Sequence, residues 1–420
     1  MSHQVAVSVR AAVLDGHREA LEEQLRALRA EGPGGPRLPL QELPGTHFAR
    51  LFVLDGAALP DGEVVPDSLL YMADVDAPAG RHLRELVRRG GAGLDAVFGH
   101  CEGWPARTSE AERVAWLRAH GLRPAAYYVH TVGRTVRQVL DEAQLAEELA
   151  ELADGCGDAA SAVAVRQAVL TAVARQPGTR WALRRAVGAG LRHRMREGVH
   201  KVAVPLAVLP LLPVLVPLAA GWLVLVRLQE RRDPADSGPP DPAHVDAVEA
   251  YEDHGAQNAF TAAGLVKPGR VRAITMRVAL AGLDYACRHV YSREHLAGVR
   301  TIHFARWQPL DGGRRVLFAS CYDGSQESYM DDFIDRLSWG VNLVFSNGAG
   351  YPRTRWLLFG GARDEVSYKQ YLRSRQVPTT VFFSAYDTSP AQRADTCARL
   401  RDGLARAMDE RDAERWVVAL

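Results

Sequence analysis

Two short runs carry residue types that could do chemistry together. One is His303-Phe304-Ala305-Arg306, and the other is Tyr322-Asp323-Gly324-Ser325, which ends the next apolar run. A histidine, an arginine and an aspartate brought to one place can exchange protons and stabilise a developing negative charge. His303 could line a cavity as an acid/base, and Arg306 and Asp323 join it as candidate catalytic residues on the resemblance given below. On a regular strand alternate residues share a face, so His303 should point with Ala305 and Trp307, and Phe304 and Arg306 the other way. A structural reading competes with this one. The same HFAR stands at His47–Arg50, and Asp76 aligns with Asp323. A single active site rarely needs both histidines, whereas two hydrogen-bonded core positions would. Asp-Gly at a strand end is also an ordinary turn signal.

Other polar groups carry weaker signals. Gln326, Glu327, Asp331, Asp332 and Asp335 fall where a helix begins, and acidic residues there favour the helix dipole. Asn347-Gly348-Ala349-Gly350 with Arg353 and Arg355 could hold an anion, or could simply be a turn. No GxGxxG after a strand, Walker motif, GxSxG or HExxH occurs, and no metal-ligand spacing is visible. The five cysteines, Cys101, Cys156, Cys287, Cys321 and Cys397, are scattered and form no CxxC pair. That argues against a disulfide framework and fits a reducing compartment. Net charge is +1, which argues against a general nucleic-acid binder. The N-terminal residues lack the basic-then-apolar order of a signal peptide, so cytoplasmic retention is expected.

The elements that must position these residues read as one design written twice. HFARLFVLDG at 47–56 matches HFARWQPLDG at 303–312 at seven of ten positions, and 67–105 aligns without a gap with 314–352 at eight of 39. Strands are predicted over Val5–Val13, His47–Leu54, Leu69–Val75 and Ala125–Thr131. Helices are predicted from Asp15, over Gly80–Phe98 and over Ser109–His120. The second half repeats the order with strands at Ala259–Val266, Thr301–Pro309, Val316–Tyr322 and Thr379–Ala385. Its helices are Arg272–Tyr291, Tyr329–Phe345, Glu365–Arg373 and one at the C-terminus, with an added strand at Arg355–Phe359. Strand, helix, strand, strand, helix is the ferredoxin-like order. The expected class is α+β, with two such repeats pairing face to face as an intrachain α/β barrel. The segments are 1–135, a first ferredoxin-like repeat; 136–201, a basic amphipathic helical region; 202–232, a hydrophobic membrane segment; 233–258, a linker; and 259–420, the second repeat.

This duplicated order resembles the dimeric α/β-barrel superfamily. Within it the chain is distantly similar to the chlorite dismutase and dye-decolourising peroxidase group, most nearly to bacterial membrane-associated members. Asp323-Gly324-Ser325 is partly similar to that group's distal Asp-Gly-Thr/Ser motif, although Ser320 stands where its leading glycine would be. The resemblance implies a haem peroxidase-like or monooxygenase-like oxidoreductase. It makes His289 and His295, in the half that would carry haem, the candidate cofactor ligands.

One stretch stands apart. Residues 202–226 read VAVPLAVLPLLPVLVPLAAGWLVLV, with no charge and with prolines at 205, 210, 213 and 217. It is long enough to cross a bilayer once. Each proline, however, removes a backbone hydrogen bond that lipid cannot replace, and arginines flank both sides where a span usually shows asymmetry. Leu183, Val187, Leu191 and Met195 form an apolar stripe among arginines just upstream, the pattern of a helix on an anionic surface. The reading is a monotopic anchor on the cytoplasmic side of the cell membrane, with membrane lipid and an apolar small molecule as partners, no nucleic acid, and room for a homo-oligomer. A non-catalytic membrane binding or scaffolding module is the alternative.

Overall fold

The computed structural model of the chain describes residues 4–106, 108–156, 161–184, 195, 198–234, 238–291, 295–386 and 389–420. Most of the arginine-rich stripe around Val187 and Leu191 lies outside the described residues.

The protein is mixed α and β. Its first half runs β1 (Gln4–Ala12), α1 (Arg18–Glu31), β2 (Thr46–Leu54), β3 (Ser68–Asp76), α2 (Ala79–Phe98), α3 (Glu110–Ala119), β4 (Ala126–Val129), α4 (Val136–Asp154) and α5 (Ala162–Arg175). The apolar helix α6 (Val204–Glu230) and a short helix α7 (Pro242–Glu249) follow. The second half repeats the plan with β5 (Gln257–Leu265), α8 (Arg270–His289), β6 (Ile302–Leu310), β7 (Arg315–Asp323), α9 (Gln326–Phe345), α10 (Glu365–Arg375), β8 (Val381–Ser384), α11 (Ala391–Leu404) and α12 (Glu410–Val418). The strand predicted at Arg355–Phe359 is instead a two-residue hairpin, Thr354–Arg355 against Phe359–Gly360. The single C-terminal helix is two, α11 and α12.

The strands form two four-stranded antiparallel sheets, in the orders β1-β3-β2-β8 and β4-β6-β7-β5. Each half lends its fourth strand to the other half's sheet. The exchange has a local cause: residues 120–122 first bond the edge of β1 (Arg10 N to His120 O, Leu122 N to Ser8 O), and the chain then crosses to β6, where Tyr127 lies opposite Arg306. The second half does the same, with Val377 N bonding Thr261 O on β5 before Phe382 lies opposite Arg50 on β2. Only these short bridges join the sheets at their edges, and no continuous ladder among the described residues closes them into a barrel.

Alternation along the strands explains the layers. Phe52, Leu54, Leu70 and Met72 of one sheet pack against Leu310, Leu317 and Ala319 of the other. Ala49, Leu51, Tyr71 and Ala73 face α1 and α2, while Ala305, Trp307 and Phe318 face α8 and α9. Burying one such phenylalanine or leucine stabilises the fold by about 1.5–3 kcal/mol. A separate bundle of α4, α5, α11 and α12 packs around Leu149, Val169, Leu400 and Trp416. The duplication is visible in geometry as well as order: Trp104 Nε1 donates to Asp95 Oδ1 at 2.9 Å, and the aligned Tyr351 Oη donates to Asn342 Oδ1 at 2.7 Å.

Helix α6 is held at both ends by the second half. Tyr285 Oη on α8 donates to His200 O at 2.9 Å, just before the helix begins, and Trp222 Nε1 donates to Thr275 Oγ1 on the same α8 at 2.9 Å. At its C-terminal end the buried Glu230 accepts from Thr354 Oγ1 (2.8 Å) and from the backbone of Trp356 (2.9 Å) and Leu357 (2.8 Å). Asp233 beyond it binds Lys267 and Arg272, each at 2.7 Å. Between these anchors Leu206, Leu209, Val214, Leu215, Val216 and Leu218 are exposed.

Candidate functional site

Both HFAR runs contain a β-bulge. The register slips between Thr46 and Phe48 on β2 and between Ile302 and Phe304 on β6, so each histidine is the extra residue. A bulge re-aims a side chain that strict alternation would send elsewhere. His303 therefore turns inward beside Phe304, between the sheets, and away from Ala305 and Trp307, which correct alternation alone would have made its companions.

The inward histidines make symmetric contacts. His303 Nε2 lies 2.7 Å from Asp323 Oδ1, and His47 Nε2 lies 3.1 Å from Asp76 Oδ1. Each aspartate also accepts from the first backbone N–H of a helix, Asp323 from Ala391 of α11 (2.7 Å) and Asp76 from Val136 of α4 (3.3 Å). The His303 ring packs on Phe48 with centroids 5.1 Å apart, and the His47 ring packs on Phe304 at the same 5.1 Å. Tyr386 joins the two, its hydroxyl bonding His47 Nδ1 and its ring stacking at 6.1 Å on His303. Gly324, at φ +85°, makes the turn after Asp323, and Ser325 caps α9 by accepting from Ser328 N at 3.3 Å. The Asp-Gly-Ser run thus works as strand end, turn and cap.

The arginines cross between sheets. Arg306 donates to Val7 O (2.8 Å), Ser8 Oγ (3.1 Å) and Ala73 O (2.9 Å) and pairs with the buried Asp74. Arg50 donates to Phe260 O (3.0 Å), Thr261 Oγ1 (2.9 Å), Ser320 O (2.8 Å) and Cys321 Sγ (2.7 Å). Burial pushes the Cys321 thiol up to about 12, so it is neutral at pH 7 and Arg50 has no anionic partner among the described residues. The proposed catalytic set is therefore divided. His303 and Asp323 meet, while Arg306 reaches the opposite sheet.

The remaining sequence candidates disperse. His289 stacks on His200 at the end of α8 with centroids 4.1 Å apart, and His295 accepts from Gly298 N at 3.1 Å in a turn. Asp331 pairs with Lys369 at 2.7 Å and Asp332 with Arg336 at 3.0 Å. Asn347 is buried in a turn paired to the end of β5, and Arg353 donates to Asp233 O at 3.2 Å. Among the described residues no three His, Cys, Asp or Glu side chains form a metal-ligand group.

The structure offers a different site. A cavity of about 160 Å³ lies between α8 and α9 above the second sheet, walled by Ala279, Gly282, Ala286, Trp307, Leu337 and Gly340 among other apolar residues. Small side chains on the α8 face at positions 279, 282 and 286 leave the space, and Thr275, which Trp222 of α6 contacts, falls on that same helical stripe. Helix α8 thus walls the cavity and also holds the apolar helix α6. The indole N–H of the buried Trp307 has no hydrogen-bond partner among the described residues. The sequence signal was present but unread: Trp307 replaces Leu51 within otherwise identical HFAR runs. In the first half the aligned space is filled, because Arg37 and Leu38 lie across α2 at Gly90 and Gly93, and a Cβ on Gly93 would stand 2.9 Å from that of Leu38. A haem needs an axial imidazole, thiolate or phenolate in an ample apolar pocket. Neither His289 nor His295 is among the residues lining this cavity, and the Tyr291 phenol on its wall is pushed further from the phenolate form by burial, so the two histidines do not fit that group here.

Compared with protein-family models, with curated proteins and with solved structures, the chain shows no significant match.

Proposed function

We propose that this is a membrane-surface protein that accepts one end of an acyl chain or similar apolar chain in the cavity between α8 and α9. The carrying observation is that α8, one wall of that cavity, also holds the exposed apolar helix α6 through Thr275 and Tyr285. At about 160 Å³ it is of the size of an engineered apolar cavity that stays dry and takes up benzene, about 150 Å³. The free indole N–H of Trp307 can donate to an oxygen on the occupant.

The arrangement of α6 supports a monotopic anchor. An unbroken helix would carry His200 and Trp222 about 33 Å apart. Their partners on α8, Tyr285 and Thr275, are about 15 Å apart by the same rise. The 3-10 turn at Leu209–Leu211 and Pro217 inside the helix are where the segment can bend to meet both. A single crossing would have to tear one end from α8. Exposed Val278, Trp339, Trp356 and Phe359 of the second half extend the apolar surface, and Arg227, Arg231 and Arg232 suit anionic headgroups on a cytoplasmic leaflet. On this reading the two halves are ferredoxin-like repeats, exchanging fourth strands to make an incompletely closed α/β barrel, whose interior is packed rather than catalytic. The oxidative chemistry implied by the family resemblance has less support, since His303 and Asp323 are engaged with Phe48, Tyr386 and the N-terminus of α11.

The test is fluorescence titration of the purified, delipidated protein with cis-parinaric acid. Saturable enhancement is expected, and Gly282→Leu, which fills the cavity, should abolish it while leaving circular dichroism unchanged. No binding by the wild type, or equal binding by the variant, defeats the proposal.

A further inference from the structure

A second cavity, of about 370 Å³, lies where β5 and β8 diverge, at the seam between the two sheets. Its origin is a difference in helix length. Helix α8 has 20 residues and covers β4 on the second sheet, whereas α1 has 14 and stops short over β8. The missing six residues amount to more than one helical turn. Arg29 and Pro33 at the end of α1 form one wall, and Tyr251 from the stretch before β5 forms another.

The chemistry of this pocket differs from that of the apolar cavity. Arg29 is half-buried, with its guanidinium 4.5 Å over the Tyr251 ring. Its guanidinium donates to Ala250 O at a long 3.5 Å, and no carboxylate pairs with it among the described residues. Phe382 offers a ring, and Thr380 and Asn258 offer hydrogen-bonding groups. The buried Gln257 forms a further wall; it accepts from Ser384 Oγ, donates to Ser389 O at 2.9 Å in the loop after β8, and brings Nε2 within 3.4 Å of His303 Nε2. Its counterpart in the first half, Gln4, likewise holds the loop after a fourth strand, donating to Thr131 O at 2.7 Å and accepting from Gly133 N at 3.0 Å.

We propose that this seam pocket binds a small planar organic anion, a molecule with one carboxylate and an aromatic or similarly flat body. The carboxylate would pair with Arg29, a charge-assisted contact, and the ring would lie against Tyr251 and Phe382. This site is independent of the acyl-chain cavity, so either can fail without the other.

Isothermal titration of the full chain with benzoate, and with benzamide as its neutral isostere, tests it. Benzoate should bind saturably at millimolar concentration and benzamide at least about tenfold more weakly, the order expected for one lost charged hydrogen bond. Arg29→Ala should erase the preference and Arg29→Lys should retain part of it. Thr380→Trp, which fills the pocket from the strand edge, should prevent binding of both with circular dichroism unchanged. Absence of saturable benzoate binding, equal binding of benzamide, or benzoate binding untouched by Arg29→Ala would each overturn the proposal.

Discussion

The two halves of this protein share seven of ten residues in their HFAR segments, yet they surround them differently. The first half fills the space over α2 with its own loop, and its Asp74 meets the arginine sent across by the second half. The second half leaves gaps. It has the open cavity beneath α8 and α9, the open seam beside β8, and Cys321 where a carboxylate would match Asp74. What the halves have in common holds them together, and what separates them is where a ligand could enter. Mutations can therefore be sorted by whether they break the shared framework or exchange the differing parts.

The largest effect is expected at the buried pair. Asp74→Ala strands the Arg306 guanidinium between the sheets and removes an acceptor from Tyr127 Oη, 3.0 Å away. Removing one member of a buried pair costs about 3–5 kcal/mol. Chemical denaturation should show that loss, whereas Arg50→Met, whose arginine has no carboxylate partner, should cost clearly less. Equal losses would mean that the two crossings are energetically alike despite their different partners.

Leu38→Ala probes the filled space. Leu38 is 4 % exposed and packs on Gly90 and Gly93, so truncation should cost about 2–5 kcal/mol. It should also give the first half an apolar cavity in the place where the second half already has one. A second parinaric acid site in this variant would show that a vacated helix–sheet gap is enough for chain binding. A variant that binds no more than wild type would assign the uptake to features of the second half alone, Trp307 and the neighbouring α6.

Acid should separate the halves further. His82 on α2 is buried with Tyr71 Oη 2.7 Å from Nε2, and burial pushes its imidazole down to about 4. Its aligned residue is Tyr329, bonded to Ser320 Oγ at 2.5 Å, which has no charge change in this range. With a folded pKa below the unfolded value of 6.5, the unfolded chain binds the extra proton between pH 6.5 and 4. Stability is therefore full above about 6.5 and falls as pH drops toward 4, by up to about 3 kcal/mol. Denaturation midpoints measured across that window should flatten in His82→Gln, and an unchanged slope would place the acid sensitivity elsewhere.

How much of this was legible beforehand depends on the kind of signal. Element order, the duplication and the apolar helix follow from periodicity and composition, which report local structure. The inward turn of His303 does not, because a bulge shifts one residue out of alternation without altering residue types. The strand exchange is equally silent, since β4 and β8 are short and would fit either sheet. The apolar cavity could have been suspected from Trp307 against Leu51 and from Gly282 on α8, but small residues on a helix are as often packed as open. Only the positions of Leu38 and of the chain around Leu296 distinguish the two cases.

The finest exchange is Cys321→Asp, which writes the first half's carboxylate into the second. Asp74 and Cys321 occupy aligned positions on β3 and β7, and each meets the arginine from the opposite sheet. A carboxylate there would convert a contact with a neutral thiol into a charge-assisted bond to Arg50, a class worth about 1.5–3 kcal/mol. Phe382 stands over Arg50 where Tyr127 stands over Arg306, so the new aspartate would lack the hydroxyl that Asp74 receives, and a gain at the lower end is expected. The variant should melt higher than wild type at pH 7, and the advantage should vanish as acid protonates the new carboxyl. If it melts lower at every pH, Arg50 is already satisfied by its carbonyl acceptors, and the missing carboxylate is no defect of the second half. The asymmetry would then belong wholly to the cavities.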